Sequence, residues 1–145
     1  MKKNLILLTL PLLTLLGCTE GNSPEELQQQ ELEATVMAKH DSAMALMGDI
    51  FKLRRNLQAL RDTLAAREAD SATLQALEQQ VAGLEAADEV MMVWMRNYEA
   101  PDSLQHEQAM HYLQQELQKI ERVQIVMDST ISAARKTYSS HEQQQ

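Results

Sequence analysis

Apolar side chains recur through most of the chain at alternating spacings of three and four. Leu46, Ile50, Leu53, Leu57, Leu60 and Leu64 form one such stripe, the signature of an amphipathic helix. Met37, His40, Met44, Met47 and Phe51 form a second stripe beside it. Two adjacent stripes make the wide apolar face that a bundle core needs. Ser23-Pro24-Glu25-Glu26 supplies an N-cap, a proline suited to the first turn, and the glutamate that completes a capping box. The pattern predicts a helix over about 24–67, with Gly48 a weak spot and not a stop.

A second helix is expected over 71–98, beginning near Asp70 or Ser71. Its stripe is Leu74, Leu77, Val81, Leu84, Asp88, Met91 and Met95, and it ends by Tyr98 because Pro101 disfavours a helical Ala100. A third is expected over 103–138, capped by Asp102 or Ser103. Its stripe is His106, Met110, Leu113, Leu117, Ile120, Gln124, Met127, Ile131, Ala134 and Tyr138. The polar tail 139–145 is expected to fray. Short connections between long helices favour antiparallel neighbours. The expectation is therefore an all-α, up-down-up three-helix bundle with coiled-coil-like packing over 24–138. Sustained heptads also suit a coiled-coil oligomer, but the punctuation at 68–72 and 99–103 favours a chain that folds back on itself.

The N-terminus follows a different pattern. Lys2 and Lys3 precede an apolar run from Leu5 to Leu16, which ends in Leu15-Leu16-Gly17-Cys18. A basic start, an apolar stretch of about a dozen residues and a small residue at its end form a secretory signal. The run is shorter than the ~20 residues a spanning helix requires. Cys18 after Leu-Leu-Gly resembles the bacterial lipobox. That resemblance implies cleavage after Gly17, a diacylglycerol thioether on Cys18, and a tether over 18–23. Multiple acyl chains hold a protein stably at a membrane where one would be marginal. Thr19, in place of the aspartate that retains enteric lipoproteins in the inner membrane, implies the outer membrane. Cys18 is the only cysteine, so the mature chain has neither a disulfide framework nor a thiolate metal site.

Composition narrows the function classes. The formal charge of −8 becomes more negative once Lys2 and Lys3 are removed. An acidic domain argues against nucleic-acid binding and against electrostatic docking on anionic lipid. The chain has no Gly-rich phosphate loop, nucleophile elbow, Glu-x-x-His pair or His-Glu-x-x-His motif. No nucleophile, base and orienting group can be named together, so no catalysis is expected.

The unusual feature is where methionine and histidine fall. Met37, Met44, Met47, Met91, Met92, Met95 and Met110, with His40, His106 and His111 and the lone Trp94, would converge at one end of an up-down-up bundle. His40–Met44, Met91–Met95 and His106–Met110 are each i,i+4 pairs on a shared face. Thioether and imidazole suit Cu(I). The candidate ligands are His40, Met44, Met47, Met91, Met95 and His106, with Trp94, Asp88 and Met110 in support. The competing readings are core packing and a Met-lined partner groove, since methionine is an adaptable filler and lines promiscuous binding surfaces. Asp88 sits on a core stripe and requires a cationic partner if buried.

Val36-Met37-Ala38-Lys39-His40-Asp41 with Met44 and Met47-Gly48, followed by the segment from Ala87 to Tyr98 (ADEVMMVWMRNY), resembles a family of small lipoproteins of Bacteroidota. These are often labelled "viral A-type inclusion protein" after coiled-coil similarity. The resemblance implies a lipoprotein, a helical bundle and an envelope location, and it supplies no activity. The functional expectation is an envelope lipoprotein acting as a structural or partner-binding module. It would be attached to the membrane through its lipid and would bind an envelope protein or itself. The alternative is a Cu(I)-binding protein of the periplasm or cell surface.

Overall fold

Ser23 opens the first helix as its sequence dictates. Its hydroxyl accepts the Glu26 N–H at 3.1 Å, and the Glu26 carboxylate accepts the Ser23 N–H at 2.8 Å. This reciprocal pair satisfies two donors that a helix start would otherwise leave free. The computed structural model describes residues 23–142 and is helical nearly throughout: α1 Pro24–Met44, α2 Met47–Ala66, α3 Ser71–Asn97 and α4 His106–Glu142. The expected signal, Cys18 and most of the expected tether lie outside the described residues. No described helix is long and apolar enough to cross a membrane.

The single helix expected over 24–67 is two helices, α1 and α2, divided by a turn at Ala45 and Leu46. The backbone ladder tightens there: the Leu46 N–H donates to the Ala43 carbonyl and the Asp49 N–H to the Leu46 carbonyl. Both are i→i−3 bonds of the 3₁₀ kind. One turn earlier the Ser42 hydroxyl donates to the Ala38 carbonyl at 2.8 Å, a back-bond that bends helices. Gly48 follows directly, with open space where a Cβ would project. The heptad runs through the turn unbroken, since Val36, Ala43, Ile50 and Leu57 are all buried.

The α2–α3 connection closes in a Schellman arrangement. The Glu68 N–H donates to the Ala65 carbonyl and the Ala69 N–H to the Leu64 carbonyl, with Glu68 in the left-handed region at φ 57°. Glycine is the usual residue at that place. Asp70 then caps α3, its carboxylate accepting the Thr73 N–H and hydroxyl. Those bonds hold the Asp70 carboxyl below its ordinary range, the Thr73 N–H first. Two boundaries of the last helix differ from expectation. It begins at His106, because Pro101 to Gln105 are taken up in a turn. It runs on through Ser139 and Ser140 to Glu142, so most of the expected frayed tail is helical.

Helix α1 packs on α4, α3 on α4, α2 on α3 and, more lightly, α2 on α4. Between α1–α2 and α3 the contacts are Glu33–Tyr98, His40–Trp94, Arg54–Asp88 and Arg61–Glu78. The α3 number falls as the other rises. Between α1–α2 and α4 they are Lys39–Glu121 and Asp49–Arg135, and both numbers rise.

The core is a 3–4 seam from every helix, including Leu53 and Leu60 of α2, Leu77, Val81 and Leu84 of α3, and Leu113, Ile120 and Met127 of α4. Two stripes shift phase. In the last turns of α3 the buried residues are Ala87, Met91 and Trp94. Asp88 and Met95 turn to the flank, where Asp88 meets Arg54 at 3.9 Å. In α4 the seam takes Ala109, Glu116 and Val123 in place of His106, Met110, Leu117 and Gln124. An α-helix drifts by about 20° per heptad against a 3.5 repeat, enough to exchange neighbouring positions.

Candidate functional site

The seam between α1–α2 and α3 carries the chemistry of interest. Helix α1 packs its backbone against α4 and reaches α3 through side chains. Glu33, Met37, His40, Met44, Met47 and Phe51 follow one another at spacings of four and three, one helical face. On α3, Asp88, Met92 and Met95 follow one another at spacings of four and three. The register is fixed by three contacts: Glu33 to Tyr98 at one end, His40 to Trp94 in the middle, and Arg54 to Asp88 at the other. Met44 and Met47 therefore come opposite Met91 and Met92.

An aromatic row lies along this seam. The His40 and Trp94 rings are 5.6 Å apart, Trp94 and Tyr98 stack at 5.0 Å, and Tyr98 and Tyr112 follow at 6.2 Å. Ring pairs at these separations each contribute about 0.5–1.5 kcal/mol beyond area burial. Trp94 is only 6% exposed, and its indole N–H meets no acceptor among the described residues. The Tyr98 hydroxyl donates to Glu33 at 3.3 Å. Burial first, then the Glu33 charge and hydrogen bond, raises the Tyr98 hydroxyl well above its ordinary value. The Tyr112 hydroxyl accepts the Glu99 N–H at 2.9 Å, tying α4 to the end of α3. His40 shares a hydrogen bond through Nδ1 with Asp41 at 2.9 Å, which leaves Nε2 as the nitrogen free to act as a ligand.

The sequence-derived ligands do not form one six-membered set. Met91 is fully buried in the core. Met44 and Met47 are half-buried against that core. Met95 lies on the flank, 39% exposed. His106 sits elsewhere, in a shallow recess with Ser23, Glu26, Gln29 and Asp102. Gln29 and His40 are 11 residues apart on α1, about 16 Å along the helix axis, so His106 and His40 do not share a site. Met110 lines a different recess, beside Leu32 and Gln114 on the α1–α4 side. Trp94 is the wall on which His40 rests, and Asp88 is engaged by Arg54. Among the described residues no three of His, Cys, Asp and Glu converge as a metal site.

The methionines divide instead into inner and outer sets. Met91 and Met127 are fully buried. Met37 and Met92 are each 36% exposed and Phe51 is 50% exposed, and with Met95 they line the open side of the seam. Arg54 lies over the Phe51 ring at 5.1 Å. One functional-looking group escaped sequence reasoning altogether. Glu116 is 3% exposed, on the α4 core seam, with Lys119 donating to it at 2.6 Å. Its signal was the phase of the α4 heptad: Ala109, Leu113, Glu116, Ile120 and Val123 are the true core positions.

The recess that holds His106 also holds Ser23, Glu26 and Asp102, and the Ser23 hydroxyl there is taken up by the Glu26 N–H. No family model, curated protein or solved structure matches the chain.

Proposed function

We propose that this chain is an envelope lipoprotein whose helical domain is a non-catalytic, partner-binding module, held at the outer membrane by lipid on Cys18. Within this reading the domain is an up-down-up bundle: α1 and α2 as one bent arm, α3 returning, α4 rising again. The opposite and parallel senses of the cross-helix contacts support that topology. The single observation that carries the function is the open seam, where Met37, Phe51, Met92 and Met95 present apolar surface on facing helices above the Trp94 wall. Large apolar side chains grouped in this way mark binding surfaces. Unbranched thioethers adapt to a partner's shape at low cost. The lipobox resemblance and the likeness to the small Bacteroidota lipoproteins support the location.

A photo-crosslinking residue at position 92 in living cells tests this, with the exposed Gln79 as the control position. A discrete heavier adduct from position 92 and none from 79 is expected. Equal, diffuse labelling from both sites contradicts the reading.

A second reading keeps one favouring observation. The His40 ring rests on Trp94, and the register brings Met44 and Met47 opposite Met91, so imidazole Nε2 and soft thioethers gather in one region suited to Cu(I). An anaerobic Cu(I) titration against a chromophoric chelator separates the two. Competition that is lost in Met44→Leu/Met47→Leu supports metal binding, and absence of competition removes it.

A further inference from the structure

The charge of the domain is unevenly distributed along its length. Over residues 24–44 and 88–124, acidic side chains outnumber basic ones twelve to four; over 45–87 and 125–142 they stand at eight to seven. The acidic half is the half that holds the aromatic row, Met37 and Met95. Its few cations are mostly engaged: Lys39 pairs with Glu121, Lys119 with Glu116 and Arg96 with Glu89. Glu33 borders the seam and Glu99 stands just past the end of α3, both with no cationic partner among the described residues. Asp41 stands beside them, 77% exposed and bonded only to His40.

We infer that the occupant of the seam is a cationic amphipathic helix supplied by another protein. This inference rests on the partner-binding reading above and names the chemistry of that partner. The seam offers an apolar floor of thioethers with an acidic margin, and its complement is a helix with one apolar stripe flanked by lysine or arginine. From Glu33 to Met44 the acidic part of the seam extends 11 residues along α1, about 16 Å, which matches about three turns of a partner helix. Helix-in-groove docking reads anchors at i, i+3, i+4 and i+7; the receiving face sets Met92 and Met95 three apart on α3, with Met37 on α1. Charge complementarity steers encounter and orientation while the apolar floor supplies the contact. A second copy of this acidic chain fits poorly, because its own seam margin carries the same sign.

The test uses the full chain in nanodiscs of zwitterionic lipid, with empty nanodiscs as the blank. The probe is a synthetic amphipathic helix of leucine and lysine without tryptophan. Trp94 is the sole tryptophan of the chain, so red-edge excitation reads it apart from the tyrosines once the empty-nanodisc signal is subtracted. Saturable change in Trp94 emission is expected with the lysine peptide. The same peptide with glutamate for lysine should bind at least about tenfold more weakly, and added salt should weaken the lysine complex. Met37→Gln/Met95→Gln, at two exposed positions that leave the core intact, should abolish the response. If the glutamate peptide binds as well as the lysine peptide, the charge inference is overturned and the apolar docking face stands. If neither peptide binds, the docking face falls and takes this inference with it. If lysine-peptide binding survives the double substitution, the site lies elsewhere and the inference is wrong.

Discussion

Replacing Trp94 with alanine measures how much of the domain hangs on the seam wall. The indole is almost fully buried, and its ring partners are His40 at 5.6 Å and Tyr98 at 5.0 Å. Truncating a buried aromatic costs about 3–5 kcal/mol through lost transfer energy and the cavity left behind. Two ring contacts put Trp94 toward the upper part of that range. One term acts the other way: the indole N–H has no acceptor among the described residues, and removing such a buried donor recovers roughly 1 kcal/mol. The net expected loss is about 3–4 kcal/mol, a large share of the ~5–15 kcal/mol that holds a domain folded. Phe51→Ala is the matched control. Phe51 is half exposed and its specific partner is the Arg54 cation, so its loss should cost about 1 kcal/mol. Urea unfolding followed by far-ultraviolet circular dichroism reads both variants without needing the tryptophan. If Trp94→Ala costs no more than Phe51→Ala, the aromatic row is not the wall described above.

Four further substitutions test separate parts of the account. Glu68→Gly should stabilise by about 0.5–1 kcal/mol in urea unfolding, because it removes a left-handed non-glycine residue from the end of α2; a destabilised variant would contradict the assigned conformation. Gly48→Ala should likewise stabilise by about 0.5–1 kcal/mol, since the added methyl enters open space inside a helix. Tyr98→Phe should flatten the alkaline side of the stability profile. The folded hydroxyl holds its proton above the ordinary value, so its contribution is complete below about pH 10 and declines as pH rises beyond it. Unfolding free energies of both proteins on either side of that point should differ in slope only at high pH. Glu116→Leu places an apolar residue at a fully buried heptad position whose present partner is the exposed Lys119; thermal and urea unfolding should show equal or greater stability, by up to about 2 kcal/mol.

Much of the fold was legible because apolar spacing reports burial directly. Leu57, Leu60, Leu77, Leu84, Leu113 and Ile120 lie where the stripes placed them. The break at Ala45 and Leu46 was not legible, because the heptad passes through it and both residues keep right-handed helical dihedrals. Periodicity reports which face is buried, whereas the break is a change of two hydrogen bonds. Phase at the helix ends was misread for a similar reason. Asp88 and Ala87, or Met95 and Trp94, are one residue apart, and a drifting seam exchanges them without altering the pattern's period.

The methionine-rich region was half legible. Folding the chain about its turns puts His40 near the helix that carries Met91 and Met95, and the His40 and Trp94 rings lie 5.6 Å apart. His106 fails because α4 begins only at that residue, after a turn that carries it to the first residues of α1. Which methionines are buried and which exposed depends on a difference of about 100° around a helix, too fine for spacing alone. Tyr98 and Tyr112 were overlooked since isolated tyrosines near a turn carry no periodic signal. Their role emerges only from the pairing of α1, α3 and α4.

The central claim, a methionine-lined face covered by a partner, is tested most directly by methionine oxidation footprinting with dilute peroxide and peptide mass spectrometry. Oxidation converts an exposed thioether to a sulfoxide and follows accessibility. In the purified protein Met37, Met92 and Met95 should oxidise first, and the buried Met91 and Met127 last. In intact envelopes the account predicts that Met37, Met92 and Met95 become protected together while the rest of the surface reacts as before. Equal oxidation of these three in envelopes and in the purified protein would contradict it.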